Sequence, residues 1–160
     1  MTRTVIKIEI PAETQRKIEK LILLPEGFPQ AIKRGMDYAI AIVRGRIQRE
    51  RLSGKGPYPP DEHRLGRVTG KLQESLRNEP AVITDGGRTI TGEIGTNIFY
   101  AALHEYGFVK DDVVRGQGKP YKLEFPERAP VRTGVEENAD FIAEEIGYEV
   151  DKLLEDATKG

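Results

Sequence analysis

The side chains best suited to acid–base or metal chemistry are His104 and Glu105, adjacent in the stretch 103–106. A zinc site on a helix needs a second imidazole one turn later, and Phe108 occupies that place. The only other histidine is His63, in a Pro- and Gly-rich stretch. A structural or interface role for His104 is therefore the expectation, with a small hydrolase centred on His104 and Glu105 as an alternative. The two serines, Ser53 and Ser75, lie outside any Gly-x-Ser-x-Gly turn that would expose a nucleophile. With no cysteine there is no thiolate, no Cys-ligated zinc and no disulfide. Gly116-Gln117-Gly118-Lys119 lacks both the spacing of a phosphate loop and the Ser or Thr that should follow it, since Pro120 comes next. The reading is a chain with no catalytic residue, no metal and no cofactor.

Charge is the stronger signal. The net charge of −1 conceals 16 Lys and Arg against 10 Asp and Glu in residues 1–80, and 9 against 16 in residues 81–160. Arg44, Arg46, Arg49 and Arg51, with Lys55 beyond, form a basic cluster that could neutralise phosphates. Glu50 lies within it and the domain as a whole is slightly acidic, so specific nucleic-acid binding through 44–55 is held as an alternative. The preferred reading is a solvated helix end or a pairing of these arginines with the acidic C-terminal helix, including Glu144 and Glu145, of a neighbouring subunit.

These residues must be carried by a small number of elements. Ile6, Ile8 and Ile10 alternate with polar residues as in a half-buried strand over 5–10, and residues 12–24 have helical spacing. Ile32, Met36, Ala39, Ile40, Val43 and Ile47 predict a long helix from about Pro29 to Leu52. Residues 53–67 read as a flexible loop, and Thr69 as the cap of a short helix through Leu72 and Leu76. Asp85-Gly86-Gly87 joins strands over 81–84 and 88–95 as a β-hairpin. A short helix over 99–106 is closed by Gly107, a polar loop covers 109–119, and 121–125 is a further strand. Ala139, Ile142, Ile146, Val150 and Leu153 form the seam of an acidic C-terminal helix.

The fold class is α+β: a small antiparallel sheet with a β-hairpin, packed against a long central helix and the C-terminal helix, in one domain over 1–160. No apolar run approaches the ~18 residues of a membrane span, and the first ten residues lack the continuous apolar stretch of a secretory signal. Membrane insertion and export by that route are not expected.

Three stretches carry a family resemblance: Arg67-Val68-Thr69-Gly70-Lys71-Leu72-Gln73-Glu74-Ser75-Leu76, then 95–107 (Gly95-Thr96-Asn97-Ile98-Phe99-Tyr100-Ala101-Ala102-Leu103-His104-Glu105-Tyr106-Gly107), then Pro126-Glu127-Arg128-Ala129-Pro130. In this order and spacing they resemble the virion morphogenesis proteins of tailed bacteriophages, a group that includes the Mu-like G proteins and tail-completion or neck proteins. Thr69, Gly70, Leu72 and Ser75 match the first motif, Gly95, Tyr100, Ala101 and Gly107 the second, Pro126, Arg128 and Pro130 the third. The third departs from the family pattern, since Arg128-Ala129-Pro130 stands where Arg-Pro and an aromatic residue are usual.

The resemblance implies a non-enzymatic structural protein of the head–tail joint, made in the bacterial cytoplasm and located in the virion. Its implied partners are further copies of itself, commonly in a ring of six, together with connector or head-completion proteins and tail proteins. Within that reading His104 and Glu105, on a short surface helix, are expected to contact a neighbouring subunit, while the glycines and Tyr100 serve the fold.

Overall fold

A computed structural model describes residues 5–6, 27–54, 65, 70–114, 116 and 118–159. The elements are β1 (Val5–Ile6), α1 (Phe28–Glu50), α2 (Lys71–Ser75), β2 (Arg77–Thr84), β3 (Thr89–Gly95), α3 (Ala101–Tyr106), β4 (Phe108–Val113), β5 (Tyr121–Phe125), α4 (Pro130–Glu136) and α5 (Ala139–Lys159). The protein is α+β. Its chain forms two compact units, one from residues 1–4, 46–76 and 95–136, the other from 5–45, 77–94 and 137–160.

The second unit is built on the stripe of α1. Ile32, Met36, Ala39, Ile40 and Val43 are all buried, the period the sequence predicts, and Ala31 is buried beside them. The sheet has the order β1-β3-β2, with Val5 opposite Glu93 and Ile6 opposite Gly92. Strand β3 alternates in burial, with Ile90, Gly92 and Ile94 facing inward. A Cβ on Gly92 would lie 1.9 Å from the Ile40 Cδ1 atom, so the missing side chain is what lets α1 lie close against the sheet.

The expected hairpin is present, and Asp85, Gly86 and Gly87 all take positive φ (53°, 66° and 92°). Its first strand is longer than predicted, starting at Arg77 and including Pro80. Strand β2 is an outer strand of this sheet, where proline is more often found than in a central one. The next N–H, of Ala81, donates instead to Asp37 Oδ1 of α1 at 2.5 Å, while Lys33 holds the other carboxylate oxygen at 2.6 Å.

Helix α5 completes this unit. Ile142 of its seam is buried, and Arg34 meets Glu149 at 2.9 Å. The crossing with α1 is tight: a Cβ on Gly35 would sit 2.7 Å from the Ile146 Cα and 2.8 Å from the Glu145 carbonyl oxygen. Backbone cannot yield as a side-chain tip can, so glycine is required there.

The first unit buries Ile47, Leu52, Leu65, Leu76, Ala129, Val131 and Val135. Gln48 and Gln73 each donate a side-chain amide to the other's backbone carbonyl, at 2.7 and 2.8 Å, tying α2 to the end of α1. Two expectations are corrected here. The polar loop over 109–119 is in its first half the strand β4, paired antiparallel with β5. The N-cap position of α2 is Gly70, at φ 77°, with no side-chain cap bond, rather than Thr69. A separate helix, α4, precedes α5, broken from it at Glu137-Asn138. The strand continuation 7–10, the helix over 12–24, most of the loop over 53–67, His63, Lys55 and Thr69 lie outside the described residues.

Candidate functional site

The three stretches that carry the resemblance meet in the first unit, around the junction of α3 and α4. Helix α4 starts at Pro130, a residue suited to the first helical position because it has no N–H to satisfy. The next two N–H groups still need acceptors, and Ala129 before them offers no side-chain oxygen. Glu105 of α3 supplies both. Its Oε2 accepts from the Val131 N–H at 3.1 Å and its Oε1 from the Arg132 N–H at 2.8 Å.

Glu105 is therefore a cap delivered from 26 residues upstream, and only 4% of it is exposed. This corrects its expected place on a surface helix in contact with a neighbouring subunit. Burial pushes its carboxyl above the ordinary glutamate range, against the opposing pull of the two backbone N–H groups and the nearby Arg132 guanidinium. The sequence holds one sign of this role that local motif reading passes over: a proline-led helix with no capping residue ahead of it must find a remote acceptor.

The backbone of the neighbouring residue does a second fastening job. The His104 carbonyl oxygen accepts from the N–H groups of both Arg128 and Ala129, at 2.9 and 3.1 Å. Ala129 reaches this position with φ 44°. A proline would fit neither that angle nor the N–H bond, so Ala129 belongs to the way this chain enters α4. Thr133 completes the turn by donating through its hydroxyl to the Ala129 carbonyl at 2.7 Å.

The His104 ring lies between two aromatic edges, Tyr100 at 6.4 Å and Phe125 at 6.2 Å between ring centres. Desolvation, followed by the positive charge of Arg128, lowers its pKa and keeps it neutral at pH 7. Arg128 itself is buried, 6% exposed. At the start of the second stretch, Thr96 Oγ1 lies 2.6 Å from Ser75 Oγ of the first and accepts from the Ile98 N–H at 3.1 Å. Leu52, Leu72, Leu76, Ala101, Val131 and Glu105 line a pocket of about 20 Å³ between these segments, room for about one water molecule. Gly95 ends β3 and Gly107 directly follows α3, at φ 70°. Pro126 is exposed, between β5 and the buried Arg128.

The basic cluster is less open than the sequence suggests. Arg49 is exposed, while Arg44, Arg46 and Arg51 are half-buried. On α5, Glu144 is exposed and Glu145 half-buried. The two halves of the sequence are interleaved in the two units, yet the charge split survives: residues of the first unit count 14 Lys and Arg against 10 Asp and Glu, and those of the second 11 against 16. Among the described residues, no three His, Cys, Asp or Glu side chains are grouped to hold a metal ion, and no helix is long and apolar enough to cross a membrane.

No protein-family model, no curated protein and no solved structure matches this chain.

Proposed function

We propose that this chain is a non-enzymatic structural protein of the head–tail joint of a tailed bacteriophage, needed for tail completion and acting by self-assembly and by bridging two protein surfaces. The observation that carries the reading is that all three resembling stretches are joined by hydrogen bonds into one junction, Ser75 to Thr96 and the Arg128 and Ala129 N–H groups to the His104 carbonyl, with Glu105 capping the start of α4 beside them. Motifs kept for packing one domain have this character; a reaction centre would hold its polar groups open to a substrate. Both carboxylate oxygens of Glu105 are instead engaged by backbone, and the His104 ring is neutral among aromatic edges. Opposite net charge on the two units supports assembly of identical copies, since unlike surfaces steer and orient encounter.

In this reading six copies form the ring and the joint is the site of action in the virion. Deletion of the reading frame from its phage or prophage tests it. The expected outcome is a lysate of DNA-filled heads and separate finished tails, with joined particles restored by the gene supplied in trans. Infectious particles in normal yield from the deletion would refute the proposal.

A further inference from the structure

The β4–β5 hairpin forms a sheet of its own. A two-stranded ribbon is marginal in water, and a third or fourth strand is what normally makes such a sheet stable. Among the described residues nothing pairs with the outer edge of β5. The edge of β4 is spoiled for pairing by a register shift between Lys110 and Val113 and by Asp112 at φ 56°. The edge of β5 is regular and short, bounded by Pro120 and Pro126.

The order of residues along β5 says what would fit it. Tyr121-Lys122-Leu123-Glu124-Phe125 reads the same in chemical type from either end, except that base and acid exchange places. We infer that β5 pairs antiparallel with β5 of a second copy of this chain, about a two-fold axis through Leu123. In that register Tyr121 faces Phe125 of the other copy, Leu123 faces Leu123, and each Lys122 faces a Glu124. Lys122 and Glu124 already share one face of the strand, 3.0 Å apart and each about half exposed. Two-fold pairing places both charges opposite an unlike charge, where opposite pairs stabilise and like pairs destabilise.

The result is a four-stranded antiparallel sheet, β4-β5-β5-β4. Residues paired within each hairpin share a face, so Phe108 joins Phe125 and Val113 joins Tyr121 on the side that carries Leu123. Phe108 and Tyr121 on this side are exposed in the single chain, an apolar load that a lone ribbon does not need. A two-fold contact is isologous and cannot propagate around a ring. The pairing is therefore a dimer contact of the free protein, distinct from the head-to-tail contacts of the proposed ring, and it stands or falls separately from the phage reading.

The absence of cysteine from the chain makes the register directly testable. Leu123→Cys places two sulfurs on the two-fold axis, with Cα atoms about 4.5–5.5 Å apart, inside the range a disulfide bridges. Tyr121→Cys places them about 13 Å apart, four residues out of step along the strands. Mild oxidation of the purified proteins should therefore give a covalent dimer at least about tenfold faster for Leu123→Cys. Exposure alone predicts the reverse, because Tyr121 is exposed and Leu123 only half so. Sedimentation velocity from about 10 µM to 1 mM gives the second readout: wild type associates as a dimer, Lys122→Glu or Glu124→Lys weakens it about tenfold, and the combined charge exchange restores it. A wild type that stays monomeric throughout, Tyr121→Cys cross-linking as fast as Leu123→Cys, or a double exchange no better than either single variant would each overturn the pairing.

Discussion

Replacing Glu105 by Ala should cost the protein about 2–3 kcal/mol at neutral pH. The figure follows from the two N–H groups at the start of α4 that the carboxylate satisfies at 2.8 and 3.1 Å. Hydrogen bonds to a charged group contribute about 1.5–3 kcal/mol each, but the carboxylate also bears a desolvation cost that its raised pKa records, which brings the pair toward the lower end. With a urea slope of about 2 kcal/mol/M, the midpoint should fall by about 1–1.5 M. Glu105→Gln keeps one acceptor oxygen and turns an amide donor toward the other N–H, so it should cost about half as much. Amide exchange at Val131 and Arg132 should speed up in both variants, more in the alanine. A loss below about 0.5 kcal/mol, or unchanged exchange at those two amides, would refute the capping role and return Glu105 to the list of residues available for contact or chemistry.

Three further outcomes follow from the same geometry. Because the folded-state pKa of Glu105 is raised, the native protein holds that proton more tightly than the unfolded chain, so its contribution to stability falls as pH rises from the ordinary glutamate value through the raised one; wild type minus Glu105→Gln stability measured across mildly acid pH should show that slope. Two glycine-to-alanine changes should act in opposite directions in thermal unfolding: Gly35→Ala, facing the backbone of α5 at 2.7 Å, loses about 1–3 kcal/mol, whereas Gly147→Ala, with nothing within 4 Å of the new Cβ, gains up to about 1 kcal/mol. Asp37→Ala frees the Ala81 N–H on the outer strand and the Lys33 ammonium together and should cost about 1–2 kcal/mol, while Asp37→Asn retains an acceptor and costs less.

Much of this fold is legible in the sequence because the elements concerned are periodic. The stripe from Ile32 to Ile47 gives α1 to within two residues at either end, Asp85-Gly86-Gly87 gives the turn of the hairpin, and Tyr121–Phe125 appears as the strand expected. Strand β4 is not legible for the converse reason. Nearly all of it is exposed, so no alternation of burial is written into Phe108–Val113, and Lys110, Asp111 and Asp112 read as loop. The Glu105 cap escapes because capping rules look at the residues beside a helix start, whereas this acceptor comes from another element. Charge counted by halves of the sequence also misplaces the asymmetry, since each unit draws on both halves, although the sum over each unit keeps a definite sign.

The most direct test of the proposed role is to locate the protein in finished particles. Purified virions from the phage or induced prophage that encodes this chain, labelled with an antibody against it and viewed by electron microscopy, should carry label at the junction of head and tail, with several copies per particle by quantitative mass spectrometry. Virions that contain no copy of the chain would contradict the account.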